Sequence, residues 1–239
     1  MMPRALSFDQ LKHGYVQTLE NGVRFFSAAT ELSSEFPDKA LALAELAQEE
    51  IGRSLTFLAG FHIGPALSEW RWFWDGWNKH ELKAHRAYLY EAISPMRIEM
   101  ASPDGRRFAG EPLKPKIFQE KESGSYVDFD AASGRFVAPW EQVSMVEAMA
   151  RTSTLMYLSL TADAVRRGLL TQDAEFRLRA FGEIAFRICS ENLYQQDMPA
   201  VFQEFRARSP RHNSLCADLD TALSANSKFV AAAIGHTSE

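Results

Sequence analysis

The sequence predicts an all-α protein: an antiparallel helical bundle with a small β-hairpin insertion and extra C-terminal helices. Three observations carry this. Apolar residues recur at helical spacing over long stretches, as in Ala40, Leu43, Ala47, Ile51, Leu55 and Leu58. The stretches open on capping residues and close on proline or glycine. One segment alone, "SYVDFDAASGRFVAP", has two β-prone runs around a Gly-containing loop. With 239 residues, 46% hydrophobic and 12% aromatic, the chain has enough apolar material for a large core.

The elements follow in order. "LSFDQL" sets Ser7 as N-cap with Gln10 three residues on, a capping box, and Leu6 and Leu11 as a hydrophobic staple. That helix is expected to run to about Glu35, where Pro37 stops it. The second helix spans about Pro37 to His62, ended by Gly64 and Pro65. A short aromatic helix through Trp74, a turn at Asp75-Gly76 and a helix from Asn78 to about Ile93 come next, with Asn78 as N-cap and Glu81 three residues later; the alternative is one continuous helix through Gly76. Residues 102–123 read as a polar loop, followed by the hairpin. Pro139 opens a long helix ending near "RRGLL", and Thr171 caps another to about Gln196. Short and long helices over about 198–206 and 210–234 complete the chain. The expectation is a single helical domain over 1–239: a core at about 6–95, loop and hairpin at 102–138, and C-terminal helices at 139–234.

A net charge of −5 excludes a global basic field of the kind that announces nucleic acid. Cys189 and Cys216 belong to no CxxC pair or Cys/His cluster, which favours a reducing compartment and no structural zinc. No signal-peptide core and no run of about 18 apolar residues is present, so the expectation is a cytoplasmic protein with no membrane partner. No metal and no other cofactor is expected: Glu-x-x-His pairs, Gly-rich phosphate loops and nucleophile elbows are lacking.

Chemistry concentrates in "LAQEEIGRSLTFLAGF", residues 46–61. Helical geometry puts Glu49 beside Glu45 and Arg53, a face expected to be solvated. Glu50 shares a face with Leu43, Leu46, Ser54 and Phe57, and a carboxylate there needs a partner, which Arg53 can supply. Two readings stand: a structural ion pair and a pocket carboxylate. Gly52 weakens the helix by about 1 kcal/mol against alanine, so something must compensate. An aromatic ring of Trp74 or Trp77 packed against it is the simplest candidate. In "WNKHELKAH", His80 and Lys83 share one side of a helix. His80, in the first turn, would stay neutral near pH 7 and could act as a general base, with Lys83 on an anionic phosphate; the alternative is a polar rim. Asn78 and Lys79 are secondary candidates beside them. The aromatic cluster Trp70, Phe73, Trp74 and Trp77 reads as core or dimer interface rather than a base-stacking platform. Arg106, Arg107, Lys114 and Lys116 in the polar loop are candidate nucleic-acid contacts.

These segments resemble a known family. "LAQEEIGRSL" is similar to the A-x-E-E-x-G-K signature of the AbiV family of abortive-infection proteins, "FWDGWNKHELK" to its aromatic segment ending in H-x-x-K, and "ESGSYVDFDAASGRFVAPWEQVS" to its Y-V-D hairpin and Pro-led helix. The three occur in the family's order over roughly residues 10–165. The resemblance implies a HEPN-like helical fold, a homodimer and an anti-phage role. It points to Glu49, Glu50, Gly52, Arg53, His80 and Lys83, with arginine standing at 53 where the family has lysine, and implies that Glu50 and Arg53 line a small polar site completed by His80 and Lys83 from the next helix, with Gly52 letting the two helices close together. Arg206 and His212, in "RARSPRH", match the spaced arginine and histidine of HEPN nucleases and form a secondary candidate site.

Two functions follow as expectations. In the first, the protein is a metal-independent endoribonuclease toxin: His80 moves the proton, Lys83 and Arg53 stabilise the phosphorane-like charge, and Glu50 orients a cation. In the second, it is a non-catalytic effector that binds a phage or host protein and arrests growth or translation.

Overall fold

The computed structural model describes residues 5–64, 67–77, 79, 83, 86–87, 90, 128–130, 135–191 and 198–235. Helix α1 spans Phe8–Leu32 and begins as its sequence dictates. Ser7 Oγ accepts from the Gln10 amide at 3.2 Å, and Gln10 Oε1 accepts from the Ser7 amide at 2.9 Å. Two of the orphan amide donors of the first turn are thereby satisfied. Helix α2, Pro37–Gly60, has proline in its first turn and ends two residues before its expected limit. It packs against α1 along its length, and also against the helices described below as α5 and α6. From Ala44 to Gly60 only Leu46 and Arg53 escape full burial, so α2 is enclosed by the helices that pack against it.

Helix α3 covers Leu67–Trp77. The expected turn at Asp75-Gly76 is absent; the helix continues through both. Gly76 is there for room, because a Cβ on it would lie 2.6 Å from Nη1 of Arg86. The aromatic residues of α3 close the core. Trp70 and Phe73 are buried, Phe57 of α2 meets Phe73 edge-on at 5.6 Å and Trp77 at 5.4 Å, and Trp70 Nε1 donates to the Gly64 carbonyl at 2.9 Å. Beyond α3, Lys83, Arg86, Ala87 and Tyr90 are helical and all buried. Their spacing places them on one face, and that face is turned into the protein. Asn78, its proposed cap role, and residues 91–127 lie outside the described residues.

Two three-residue strands, β1 (Asp128–Asp130) and β2 (Arg135–Val137), pair antiparallel with Phe129 opposite Phe136. The helix expected to start at Pro139 is two helices. α4, Pro139–Gln142, stops at Val143, whose backbone is extended, and α5, Met145–Leu169, restarts behind Ser144. Ser144 Oγ accepts from the Glu147 amide at 3.2 Å and Glu147 Oε2 accepts from the Ser144 amide at 2.9 Å. This second capping box, written in the sequence as Ser-Met-Val-Glu, overrides the helix-forming run around it. α6 spans Ala174–Glu191. Thr171 does not cap it: its hydroxyl turns back to the Gly168 and Gln172 carbonyls, and Asp173, in the left-handed region at φ 68°, makes the entry turn instead. α7, Met198–Ala207, and α8, Pro210–Gly235, pack together, and α8 lies on α5. No helix among the described residues is long and apolar enough to cross a membrane.

Candidate functional site

The charged run of α2 is not a solvated face. Glu45 is 1% exposed, Glu49 5% and Glu50 9%, and Gln48 is fully buried. The face of Glu45 and Glu49 was expected to meet water, but α2 has a neighbour on every side. Buried carboxylates require counter-charges, and these come from different elements. Glu45 pairs with Arg151 of α5 at 2.6 Å. Arg151 also donates to Gln48. Glu49 pairs with Lys83 at 3.5 Å. Glu50 pairs with Arg53 one turn further on, and the Arg53 guanidinium lies 4.8 Å over the Trp77 ring.

Gly52 explains how Lys83 reaches this position. A Cβ on Gly52 would overlap the carbonyl oxygen of Lys83 and lie 2.7 Å from its carbonyl carbon and 2.8 Å from the Ala87 amide nitrogen. Backbone crosses backbone at this point, so the compensating contact is the close approach of a second helix that the family resemblance implied, and not an aromatic ring. The cost of glycine in α2 is offset by a close crossing that only glycine permits.

Burial pushes the Lys83 ammonium below its ordinary range, and the neighbouring Arg53 charge adds to the effect; the Glu49 carboxylate opposes both. Lys83 is 2% exposed, so it acts on anything outside the protein through its neighbours rather than by direct contact. Glu50 differs. It borders a cleft of about 310 Å³ whose other walls come from α1, with Gln17, Asn21 and Arg24 among them. Glu50 is thus the carboxylate of the cluster that borders this cleft, and its partner Arg53 keeps 20% of its side chain exposed.

Arg86 is a residue the sequence reading missed. It is 1% exposed, donates from Nη1 to Thr56 Oγ1 at 2.7 Å, and holds its guanidinium 4.6 Å over Trp72. Its position three residues after Lys83 was the available signal. Tyr90, a further turn on, shares a 2.9 Å hydrogen bond with Ser54 of α2. Together Lys83, Arg86 and Tyr90 bring an ammonium, a guanidinium and a phenol to one helix.

The other expected site residues are distributed as follows. Lys79 is exposed. His80 and Asn78 lie outside the described residues, as do Arg106, Arg107, Lys114 and Lys116. Arg206 and His212 sit apart from the α2 cluster. Arg206 pairs with Asp220 of α8. His212 shares a 2.7 Å hydrogen bond with Ser209 and lies between Phe176 and Phe205, at 5.1 and 4.7 Å. Burial lowers the pKa of its imidazole, with Arg208 second. Among the described residues, no group of three or more His, Cys, Asp or Glu side chains is placed to hold a metal ion.

The Glu-Glu-x-Gly-Arg run and its Lys83 partner fall inside a match to a family model, HEPN_AbiV, described as AbiV, over residues 10–154. The chain belongs to the AbiV family. The match takes in α1 to the start of α5, including Arg151, and leaves α6, α7 and α8 outside it. It thus contains the whole α2 charge cluster and neither Arg206 nor His212. No curated protein and no solved structure matched the chain. AbiV membership and the mostly helical architecture agree with a HEPN-like fold, and the family points to abortive infection as an anti-phage response.

Proposed function

We propose that this AbiV-family chain is an abortive-infection effector that works by binding a phage or host protein, not by catalysis, in the cytoplasm. The observation that carries this reading is the surface at α4 and the start of α5. Trp140 is 68% exposed, Val146 72%, Met149 51% and Met145 47%. Met145, Val146 and Met149 lie within about one turn on the same helix. Scattered apolar residues on a surface need no explanation, but an open tryptophan with three exposed large apolar side chains within nine residues along the chain is the composition of an interaction site. By contrast, the ionic groups of α2 are buried and matched to one another, which suits a scaffold better than a reaction centre. Phage plating tests the proposal. Trp140→Ala with Val146→Asp should abolish protection while the protein stays folded by circular dichroism, and total RNA should remain intact in protected cells. Protection undiminished in that variant refutes it. A homodimer through the same surface is the other occupant, read by light scattering of the same variant.

A ribonuclease is the second reading, supported by one specific feature. A lysine of depressed pKa stands behind Glu50, and Glu50 borders a polar cleft. On this reading His80 moves the proton, and Arg53 and Lys83 stabilise the developing phosphate charge. Purified protein would then degrade RNA in EDTA. The double variant Glu50→Gln, His80→Ala would be silent, and unchanged cleavage by it would dismiss the assignment.

A further inference from the structure

A second cavity, of about 590 Å³, opens between α1 and α5. Its size is that of a small-molecule site, which falls in the range of about 300 to 1,000 Å³. Leu19, Val23 and Phe26 of α1, spaced for one helical face, form one wall, and Met156 and Leu160 of α5 form the other. Val23 is 39% exposed, an aliphatic side chain held open at the rim.

Two polar features mark the site. Ser159 lines the cavity at 5% exposure, and its hydroxyl has no hydrogen-bond partner. Buried hydroxyls are almost always partnered. The second feature is Arg24. Of the charged residues around the cavity, Asp163 holds Arg166 at 2.7 Å and Arg167 at 3.1 Å, and Glu20 accepts from Gln17 at 3.4 Å. Arg24 makes no ion pair or hydrogen bond among the described residues, and it also borders the polar cleft of Glu50. It is a guanidinium with no ion-pair partner among the described residues, at the mouth of a largely apolar cavity.

We propose that the groove between α1 and α5 binds a monomeric amphiphile with an apolar chain and a single anionic head, the chain lying between Val23, Phe26, Met156 and Leu160 and the head on Arg24. Because Arg24 and Glu20 are common to both cavities, the head sits on the wall that separates the amphiphile from the Glu50 cleft. A bound chain there is positioned to alter that cleft. The site is independent of the apolar surface at α4 and α5.

The test is calorimetric titration of the full chain with decanoate, decanol and decylamine, below their micellar concentrations. Decanoate should bind one to one and about tenfold more tightly than decylamine, the scale of one charge-assisted hydrogen bond. Arg24→Gln should weaken decanoate about tenfold and leave decanol unchanged. Val23→Glu, at an exposed position, should remove binding of both while the far-ultraviolet spectrum stays native. Equal or tighter binding of decylamine overturns the proposal. So does an Arg24→Gln variant with undiminished decanoate affinity, or a protein that binds none of the three. Adsorption to phosphatidylglycerol vesicles without decanoate binding, or binding only of an amphipathic helical peptide, assigns the groove to a membrane or a protein and also overturns it.

Discussion

The ion pairs around α2 and those that join α6, α7 and α8 use the same side chains to different ends. In the first region Glu45 and Arg151 meet with side chains 1% and 11% exposed, and Glu49 and Lys83 at 7% and 3%. In the second, Arg206 and Asp220 are 42% and 55% exposed, Arg211 and Asp173 60% and 51%. Arg208, one residue past α7, reaches both Glu183 of α6 and Glu204 of α7, and these two carboxylates hold its guanidinium above the ordinary range. Water competes for most groups in the second set and for few in the first. A buried pair is not a large net stabiliser, but losing half of one strands a charge, whereas a surface pair can be lost with little consequence. The α2 region is therefore intolerant of single changes and the C-terminal region tolerant.

The sharpest way to break this comparison is Glu45→Ala. It leaves Arg151 buried beside Gln48 without its carboxylate and should cost about 3 to 5 kcal/mol in urea denaturation. A loss below about 1 kcal/mol, the scale of an exposed pair, would erase the distinction between the regions. Gly52→Ala comes next. Intrinsic helix propensity favours alanine by about 1 kcal/mol. The overlap with the Lys83 carbonyl must be relieved by moving backbone, so a net destabilisation of about 3 kcal/mol is expected from the same measurement. A neutral or stabilising outcome would mean that the two helices do not cross at this point.

The third prediction uses pH. The imidazole of His212 has its pKa lowered from 6.5, by burial first and by Arg208 second, so the unfolded chain takes up this proton before the folded one as pH falls. The contribution to stability therefore rises with pH through the window just below 6.5 and is constant above it. Midpoints measured from pH 5 to 8 should show this slope in the wild type and a shallower one in His212→Phe, a substitution that keeps the packing against Phe176 and Phe205. An equal slope in both would remove His212 as its source. The smallest effect is expected of Arg206→Ala, about 0 to 1 kcal/mol by chemical denaturation, since both partners are solvated.

Legibility differed between these regions for reasons visible in particular residues. The Ser7 capping box could be read because its two hydrogen bonds are local, closed within three residues. The Ser144 box was equally local, yet the eye follows Pro139 into one long helix, and the extended Val143 that breaks it leaves no mark of its own. The pairing of Glu50 with Arg53 was readable from i, i+3 spacing. The pairing of Glu49 with Lys83, 34 residues apart, was not, because Glu49 was assigned to water by a rule that presumes a helix has one dry side. Gly76 reads as a turn or as part of a continuous helix, because glycine has the same appearance whether it bends a chain or makes room for Arg86.

Sequence alone determined the helical class, the starts of α1 and α2, the aromatic content of α3 and the motif that marks the AbiV family. All of these depend on neighbours within a few positions along the chain, where geometry is set by the backbone repeat. Tertiary structure decided that α2 is surrounded, that Glu45 and Glu49 are buried and paired across elements, and that Glu50 borders a cleft while Lys83 stands behind it. Burial and pairing at long range depend on which helices close around α2, and that is a property of the packed assembly rather than of any single segment.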